Sequence, residues 1–185
     1  GGKVLESLIK IKKEGFINII GASLYYPHEA ERLLEISDIG AVQIPVNLLD
    51  HRFIRERLIS KLAKKGKLVF VRSIFLQGLF FLDPEELPQD MEYVLPYLNK
   101  VTALRKEMEI GIDELSINFV KDISGITSLV VGAETKEQVL KNRKLLDAPS
   151  MGSGVVEKIL ETFRDVPEEV VVPYCWKKRE NHGNK

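Results

Sequence analysis

The side chains in this sequence with the strongest potential for chemistry are three histidines and one cysteine. His28, His51 and His182 are far apart, and with Cys175 they show no metal-ligand spacing. Asp50 directly precedes His51, but we interpret the pair as a solvated turn rather than a catalytic dyad. The Gly-x-Ser-x-Gly motif of a serine nucleophile is also absent. We therefore assign no catalytic residue and no metal ligand.

A second group of polar residues has the spacing of a binding face. Gln138 and Asn142 are four residues apart on a predicted helix, so their amides point the same way. Each amide can both donate and accept hydrogen bonds. Thr135 stands just before the helix and is a suitable N-cap. This face is expected to meet either a ligand or solvent.

Helical and strand patterns alternate along the whole chain. A first helix begins near residue 4 and ends at Gly15, a plausible C-cap residue. Short buried runs predict four strands, at 16–22, 39–44, 68–74 and 128–131. Further helices are predicted at about 27–36, 53–65, 90–109, 113–121, 136–146 and 155–163. Residues 77–88 form a loop rich in large apolar side chains, and the tail from Pro167 is expected to be mobile.

This order of elements predicts an α/β fold with a parallel sheet. Four strand-then-helix units make half of an eight-stranded (β/α)8 barrel, a partial TIM barrel with extra C-terminal helices. The 185 residues are too few for a complete barrel, which needs about 250. We expect a half-barrel domain over residues 1–165 and a C-terminal extension or tail over 166–185. An open doubly wound sheet is the alternative.

Composition excludes several classes of partner and location. Lys plus Arg and Asp plus Glu both number 27, so nucleic acid and acidic membrane surfaces are not expected partners. One cysteine fits a reducing cytosol. Neither a signal peptide layout nor an apolar run of about 20 residues is present, and we predict a cytoplasmic protein. The abrupt start at Gly1 suggests a fragment of a longer chain.

Four segments, each at the end of a predicted strand, carry a resemblance to a known family. They read IGASLY (20–25), VQIPVNLLD (42–50), VRSIFLQGL (71–79), and GITS (125–128) leading to VGAETKEQ (131–138) and Asn142. In this order they resemble the second half of the aldo-keto reductases, over about residues 3–146. The resemblance implies the half that binds NADP or NAD, without a Gly-rich fingerprint. The catalytic Asp, Tyr, Lys and His of the family come from the first four strands, which this chain lacks.

The resemblance also implies roles for individual residues. Ser23 and Gln43 would hydrogen-bond the nicotinamide carboxamide, while Asn47 would either contact the ligand or stabilise its loop. Arg72 stands where many members place an aromatic ring against the nicotinamide, and it could stack there or reach the diphosphate. The loop that wraps the diphosphate would contain Ser73, Phe75, Gln77 and Gly78. The adenosine end would be held by the segment containing Gly132, Glu134, Gln138 and Asn142.

Glu134 departs from the family pattern, since many relatives have Arg or Ser there beside the 2′-phosphate of NADP. A carboxylate would repel that phosphate and could accept a hydrogen bond from the 2′-hydroxyl of NAD. Lys136 and Arg143 are close in sequence and could offset the charge. The resemblance therefore predicts a weakened preference for NADP.

Two interpretations of function follow. In the first, the chain is the cofactor-binding half of an oxidoreductase that reduces aldehydes or ketones when the N-terminal half is joined to it. In the second, it is a non-catalytic nucleotide-binding or self-associating half-barrel, in which a homodimer forms through exposed strand edges. A half of a phosphate-binding barrel, as in sugar-phosphate isomerases, is a more distant third.

Overall fold

Four parallel strands form the sheet of the computed structural model, which describes residues 2–176. The strands are β1 (Ile20–Ser23), β2 (Ile39–Pro45), β3 (Leu68–Arg72) and β4 (Ser128–Leu129). Their order in the sheet is β1-β2-β3-β4 and all three pairings are parallel. Every strand therefore lies beside the next strand in sequence, as the predicted series of strand-then-helix units requires.

Helices connect and flank these strands. They are α1 (Gly2–Lys13), α2 (Pro27–Leu33), α3 (Arg52–Arg55), α4 (Leu58–Lys64), α5 (Leu95–Glu107), α6 (Ile112–Lys121), α7 (Lys136–Leu146), α8 (Ser153–Thr162), α9 (Glu168–Val171) and α10 (Pro173–Trp176). Short 3₁₀ segments at Leu76–Phe81, Pro84–Glu86 and Gln89–Val94 occupy the long connection after β3.

Within residues 2–176, helices cover one face of the sheet and leave the other open. Val42, Ile44, Val69 and Val71 on that face are at most 1% exposed. Side chains alternate across a strand, and the opposite face is partly or fully exposed. We call it the inner face; it contains Gly21, Ser23, Ala41, Gln43 and Phe70. A doubly wound sheet would bury both faces, so this burial favours the half-barrel over that alternative.

The first predicted strand and two predicted helices differ from the structure. Phe16 is 78% exposed and Ile19 50% exposed, so strand pairing begins only at Ile20. The helix predicted over 53–65 is broken at Arg57, whose φ of 56° is left-handed and cannot continue an α-helix. The helix predicted from residue 90 becomes α-helical only at Leu95. Pro96 lies in that first turn, where a missing N–H is tolerated.

The chain beyond Pro167 is packed, not mobile, as far as Trp176. Val170, Val171 and Val172 are 0–3% exposed and belong to the hydrophobic core. The carbonyl of Glu169 accepts a hydrogen bond from Trp176 Nε1 at 3.1 Å. The prediction of a mobile tail is thus wrong for residues 168–176. It was based on the polar residues at the end of the chain, whereas the three valines before them are buried in the core. Residues 177–185 lie outside the described part, and the domain boundary near residue 165 stays a prediction.

Candidate functional site

A cleft opens at the C-terminal ends of β3 and β4. Its volume is about 660 Å³, and it lies between residues 73–81, here called the β3 loop, and residues 130–138. Seven residues predicted to bind a cofactor line it: Ser73, Phe75, Gln77, Gly78, Gly132, Glu134 and Gln138. Residues from two separate parts of the sequence, more than 50 positions apart, are therefore brought together on one surface.

A smaller recess of about 300 Å³ continues from this cleft. The two share Phe75, Phe81, Gly132 and Gln138, and the recess adds Asp113, Lys141 and Asn142. The structure thus places Asn142 next to Gln138, as their helical spacing on α7 predicts. The recess has aromatic side chains at one side and amides at the other.

The β3 loop has an uncommon backbone. Ser73, Leu76 and Gln77 have positive φ angles of 61°, 46° and 55°, and Gly78 has 85°. Such angles are unfavourable for residues with a Cβ, and they persist where the surroundings fix them. Leu76, fully buried, anchors the loop in the core. This combination of strain and anchoring is typical of a binding loop.

Asn47 fixes the loop after β2 and joins it to the β3 loop. Its buried Oδ1 accepts hydrogen bonds from the N–H groups of Leu49 and Asp50, at 2.9 and 3.0 Å. Its Nδ2 donates to the Ser73 carbonyl at 3.2 Å. Of the two roles left open for Asn47, these contacts support loop stabilisation.

Ser23 and Gln43 lie together on the inner face, outside the cleft. Strand register places them side by side, with Phe70 next in the same row. Ser23 Oγ donates a hydrogen bond to Gln43 Oε1 at 3.1 Å. These three residues line a shallow groove of about 250 Å³. The groove can offer a hydroxyl and an amide to a ligand lying on the sheet.

Arg72 connects the groove with the cleft. Its Nη2 donates to the carbonyl of Leu24, the residue after Ser23, and its Nη1 donates to Ser73 Oγ, both at 3.1 Å. The guanidinium carbon lies 4.4 Å from the centre of the Tyr25 ring. Arg72 therefore stacks on a side chain of its own protein, an arrangement that sequence analysis missed because Tyr25 is 47 positions away.

The start of α7 fixes the backbone beside Glu134. Thr135 Oγ1 accepts a hydrogen bond from the Gln138 N–H at 3.2 Å, which confirms Thr135 as the N-cap. Gln138 Oε1 accepts one from the Glu134 N–H at 2.6 Å. The carboxylate of Glu134 is exposed at the edge of the cleft.

Asp50 and His51 do not form a solvated turn, because each is only 1% exposed. Both carboxylate oxygens of Asp50 accept hydrogen bonds from the Arg52 guanidinium, at 2.8 Å each. The His51 ring packs against Phe119 at 5.3 Å. Burial, assisted by the charge of Arg55, lowers the pKa of His51 to about 4. His51 is therefore a neutral core residue at pH 7 and makes no dyad with Asp50.

Two further contributors to the site could not be recognised from the sequence. Phe81 packs edge-on against Phe75, with ring centres 5.1 Å apart, and both line the cleft and the recess. Asp113 on α6 forms an ion pair with Lys141 on α7 at 2.5 Å and lines the recess with it. The apolar character of residues 77–88 was the only signal of Phe81, and nothing in the sequence indicated the ion pair.

Over residues 2–176, no three His, Cys, Asp or Glu side chains are grouped to hold a metal ion. None of the helices in this range has the length and apolar character needed to cross a membrane.

Comparison with known proteins gives a consistent family. The model of the Aldo/keto reductase family matches residues 3–159. The fold is similar to that of aldo-keto reductase AKR11C1 from Bacillus halodurans in its holo form. The TM-score is 0.71 and the identity 22%, over 91% of this chain and 58% of that one. The apo form gives the same score and identity, with 59% of its chain covered.

A second reductase has the same fold. The thermostable aldo-keto reductase Tm1743, in complex with the inhibitor epalrestat, matches with a TM-score of 0.63 and 16% identity, over 85% of this chain and 53% of that one. No curated protein matches the chain. The chain spans less than three fifths of the length of the structures it matches. The likeness confirms the partial barrel, and the match over residues 3–159 shows that this chain belongs to the aldo/keto reductase family.

Proposed function

We propose that this chain is the nicotinamide-dinucleotide-binding half of a reductase that acts on aldehydes or ketones. The observation that carries the proposal is the cleft at the C-terminal ends of β3 and β4, where seven predicted binding residues meet. In (β/α)8 barrels, ligands and substrates bind at this end of the strands. When bound, the reduced nicotinamide would supply the hydride.

The residues of the cleft suit a dinucleotide chemically. An added Cβ at Gly132 or Gly78 would meet no atom within 4 Å, so open space lies beside both backbones and a ligand can approach closely. The cleft and the recess, about 660 and 300 Å³, fall in the range of about 300–1,000 Å³ usual for ligand pockets.

Each end of the dinucleotide has a matching set of side chains. Ser23 and Gln43 would exchange hydrogen bonds with the carboxamide, since both can donate and accept. The adenine would enter the recess, where Phe75 and Phe81 offer ring contacts and Asn142 an amide. The β3 loop between them would hold the diphosphate.

Glu134 supports a weakened preference for NADP. Its carboxylate is exposed at the cleft, and its backbone is held by Gln138 at 2.6 Å. No ion pair of Glu134 with Lys136 or Arg143 occurs within residues 2–176, so the positive charges close in sequence do not neutralise it. A 2′-phosphate at this place would meet an unpaired negative charge. Comparable or tighter binding of NADH than of NADPH is expected, and much tighter NADPH binding would refute this preference.

The chemistry itself would need further βα units. β1 and β4 are both edge strands, and the inner face has no covering layer within the described residues. Helices α1 and α7, beside the two edges, contain no buried residue, and Val139 and Leu140 of α7 are about half exposed. Four more units from the missing half would cover these surfaces and bring the catalytic Asp, Tyr, Lys and His. Cytoplasm, with its pool of reduced dinucleotide, is the proposed location.

Binding can be tested on the chain alone. Titration with NADH and NADPH, followed by nucleotide fluorescence, should give saturable binding without turnover of an aldehyde. Asn142→Ala should weaken binding about fivefold, because a hydrogen bond at a buried base contributes roughly 1 kcal/mol. The matched control is Asn99→Ala on the exposed surface of α5, which should bind as the parent does. Equal affinity of the two variants would contradict the proposed adenine site.

The open strand edges favour one second candidate, a self-associating half-barrel. Two copies related by an axis along the barrel would place β4 of each beside β1 of the other, and all strands would stay parallel. Light scattering after size exclusion distinguishes the two: a monomer at about 10 μM and at tenfold higher concentration would exclude the dimer.

A further inference from the structure

Arg72 brings a positive charge to the inner face beside the Ser23–Gln43 pair. Phe70, the β3 residue in register with Gln43, and Arg72 lie on the same face of the strand, separated by Val71 on the other face. Two residues along a strand span about 6.6 Å. The Cα of Arg72 therefore lies one step along the sheet from the row of Ser23 and Gln43, and its guanidinium reaches the carbonyl of Leu24, the residue after Ser23.

Three contacts hold this guanidinium in place. It donates hydrogen bonds to Leu24 O and Ser73 Oγ, at 3.1 Å each. One face of the guanidinium stacks on the Tyr25 ring, with the guanidinium carbon 4.4 Å from the ring centre. These contacts come from two loops and leave little freedom to swing away. The position of the charge is thus set before any ligand arrives.

All three partners are uncharged. Within residues 2–176, no carboxylate forms an ion pair with Arg72, whereas Arg52 is paired with Asp50 and Glu168. A guanidinium is protonated at every working pH. Among residues 2–176, this guanidinium therefore brings to the inner face a positive charge that no ion pair neutralises.

We propose that Arg72 makes this site select the reduced over the oxidised nicotinamide dinucleotide. The inference rests on the proposed function, in which Ser23 and Gln43 hold the carboxamide and so place the ring beside Arg72. The oxidised nicotinamide ring carries a positive charge and the reduced ring carries none. Repulsion between two like charges a few ångströms apart in a half-buried site then weakens binding of the oxidised form about tenfold.

The test compares dissociation constants of NADH and NAD⁺ for the 185-residue chain and two variants, by calorimetry. The parent should bind NADH about tenfold more tightly than NAD⁺. Arg72→Lys keeps the charge and should keep most of this ratio. Arg72→Gln removes the charge and keeps a polar, unbranched side chain, and its ratio should fall close to one. A purely structural role for Arg72 would weaken both forms alike in both variants and leave the ratio unchanged.

The outcomes separate this inference from the proposed function. A parent that binds both forms equally, or an Arg72→Gln variant with the parent's ratio, overturns the selection by Arg72 and leaves dinucleotide binding intact. If circular dichroism shows that the parent is folded but it binds neither form, both the selection by Arg72 and the proposed dinucleotide binding are overturned. Thermal unfolding of each variant confirms that a lost ratio does not reflect a lost fold.

Discussion

The buried His51 makes the free energy of unfolding depend on pH. Its pKa is about 4 in the native protein because burial disfavours the charged ring, against about 6.5 in an unfolded chain. Between these values the unfolded chain binds a proton that the native protein does not. Stability present above pH 6.5 is therefore lost as the pH falls towards 4, by about 2 kcal/mol at pH 5. Urea unfolding at pH 7.5 and pH 5 measures this loss.

The control for this effect is a variant in which the ring cannot titrate. His51→Phe keeps an aromatic side chain against Phe119, and its unfolding free energy should fall less between the two pH values. An identical loss in parent and variant would show that other groups cause the acid sensitivity.

Lys67 is a second buried ionisable residue, and its role is structural. Its Nζ donates to the carbonyls of Ile36 and Ile39, at 2.7 and 2.6 Å. Burial lowers its pKa, and the charge of Glu35 opposes that shift. Lys67→Met should lower the unfolding free energy by about 1–3 kcal/mol, because two carbonyls lose their donor.

Lys65 offers the matched substitution two positions away. It forms an exposed ion pair with Glu35 at 2.9 Å, and such pairs contribute about 0–1 kcal/mol. Lys65→Met should therefore change the urea midpoint little. Equal effects of the two substitutions would refute the role assigned to Lys67.

The part of the candidate site that lies at the ends of strands could be predicted from the sequence. Gln138 and Gly78 were identified because each stands in a motif just after a strand, and that end of a parallel sheet gathers loops from distant parts of the chain. The burial of His51 could not be predicted, since Phe119, 68 positions away, packs on it. Side-chain partners at such separations are set by packing and leave no local signal.

At the scale of elements, substitutions at two glycines of the cleft distinguish the effect of backbone strain from the effect of blocking the ligand. An added Cβ meets nothing within 4 Å at either Gly78 or Gly132, but only Gly78 has a positive φ, 85°. Gly78→Ala should destabilise the protein by about 1 kcal/mol, because the left-handed region disfavours a Cβ. Gly132→Ala should leave stability nearly unchanged and weaken dinucleotide binding. Chemical unfolding and nucleotide titration of both variants test this, and a reversed pattern would contradict it.

The C-terminal segment 168–176 is expected to be a necessary part of the core. Val170, Val171 and Val172 are nearly inaccessible, and burying three valines contributes roughly 4.5–9 kcal/mol, as an upper estimate. A chain ending at Pro167 should therefore lose most of its stability. A chain ending at Trp176 keeps the three valines and is the matched control. Thermal unfolding followed by circular dichroism compares them, and a stable chain ending at Pro167 would refute this.

Elements with a clear period were predictable, and those interrupted by single residues were not. The 11 residues of α7 were predicted with both ends correct, because Thr135 caps it and its polar pattern is regular. The break between α3 and α4 occurs at Arg57, a residue type with no preference for a left-handed backbone. Buried Phe53 and Leu58 lie on either side of it, so packing of both short helices decides the break.

For the whole molecule, the order of the strands was predictable while the state of the inner face was not. Alternating strands and helices lead to sequential parallel pairing, because right-handed crossovers place each new strand beside the last. Whether a second layer covers Gln43 and Phe70 depends on chain segments beyond these four units. The sequence of the four units therefore predicts the order of strands in the sheet. It does not predict which segment pairs with the two edge strands.

Within residues 2–176, the sequential strand order also means that further units could be added at either edge of the sheet. Each strand pairs only with strands adjacent in sequence, so no connection passes over another strand. A unit that is duplicated or fused at either edge would extend the sheet without changing the connections between the existing strands, as in repeat proteins. Fusion at such a boundary would keep the cleft, because β3 and β4, whose C-terminal ends form it, would remain neighbours.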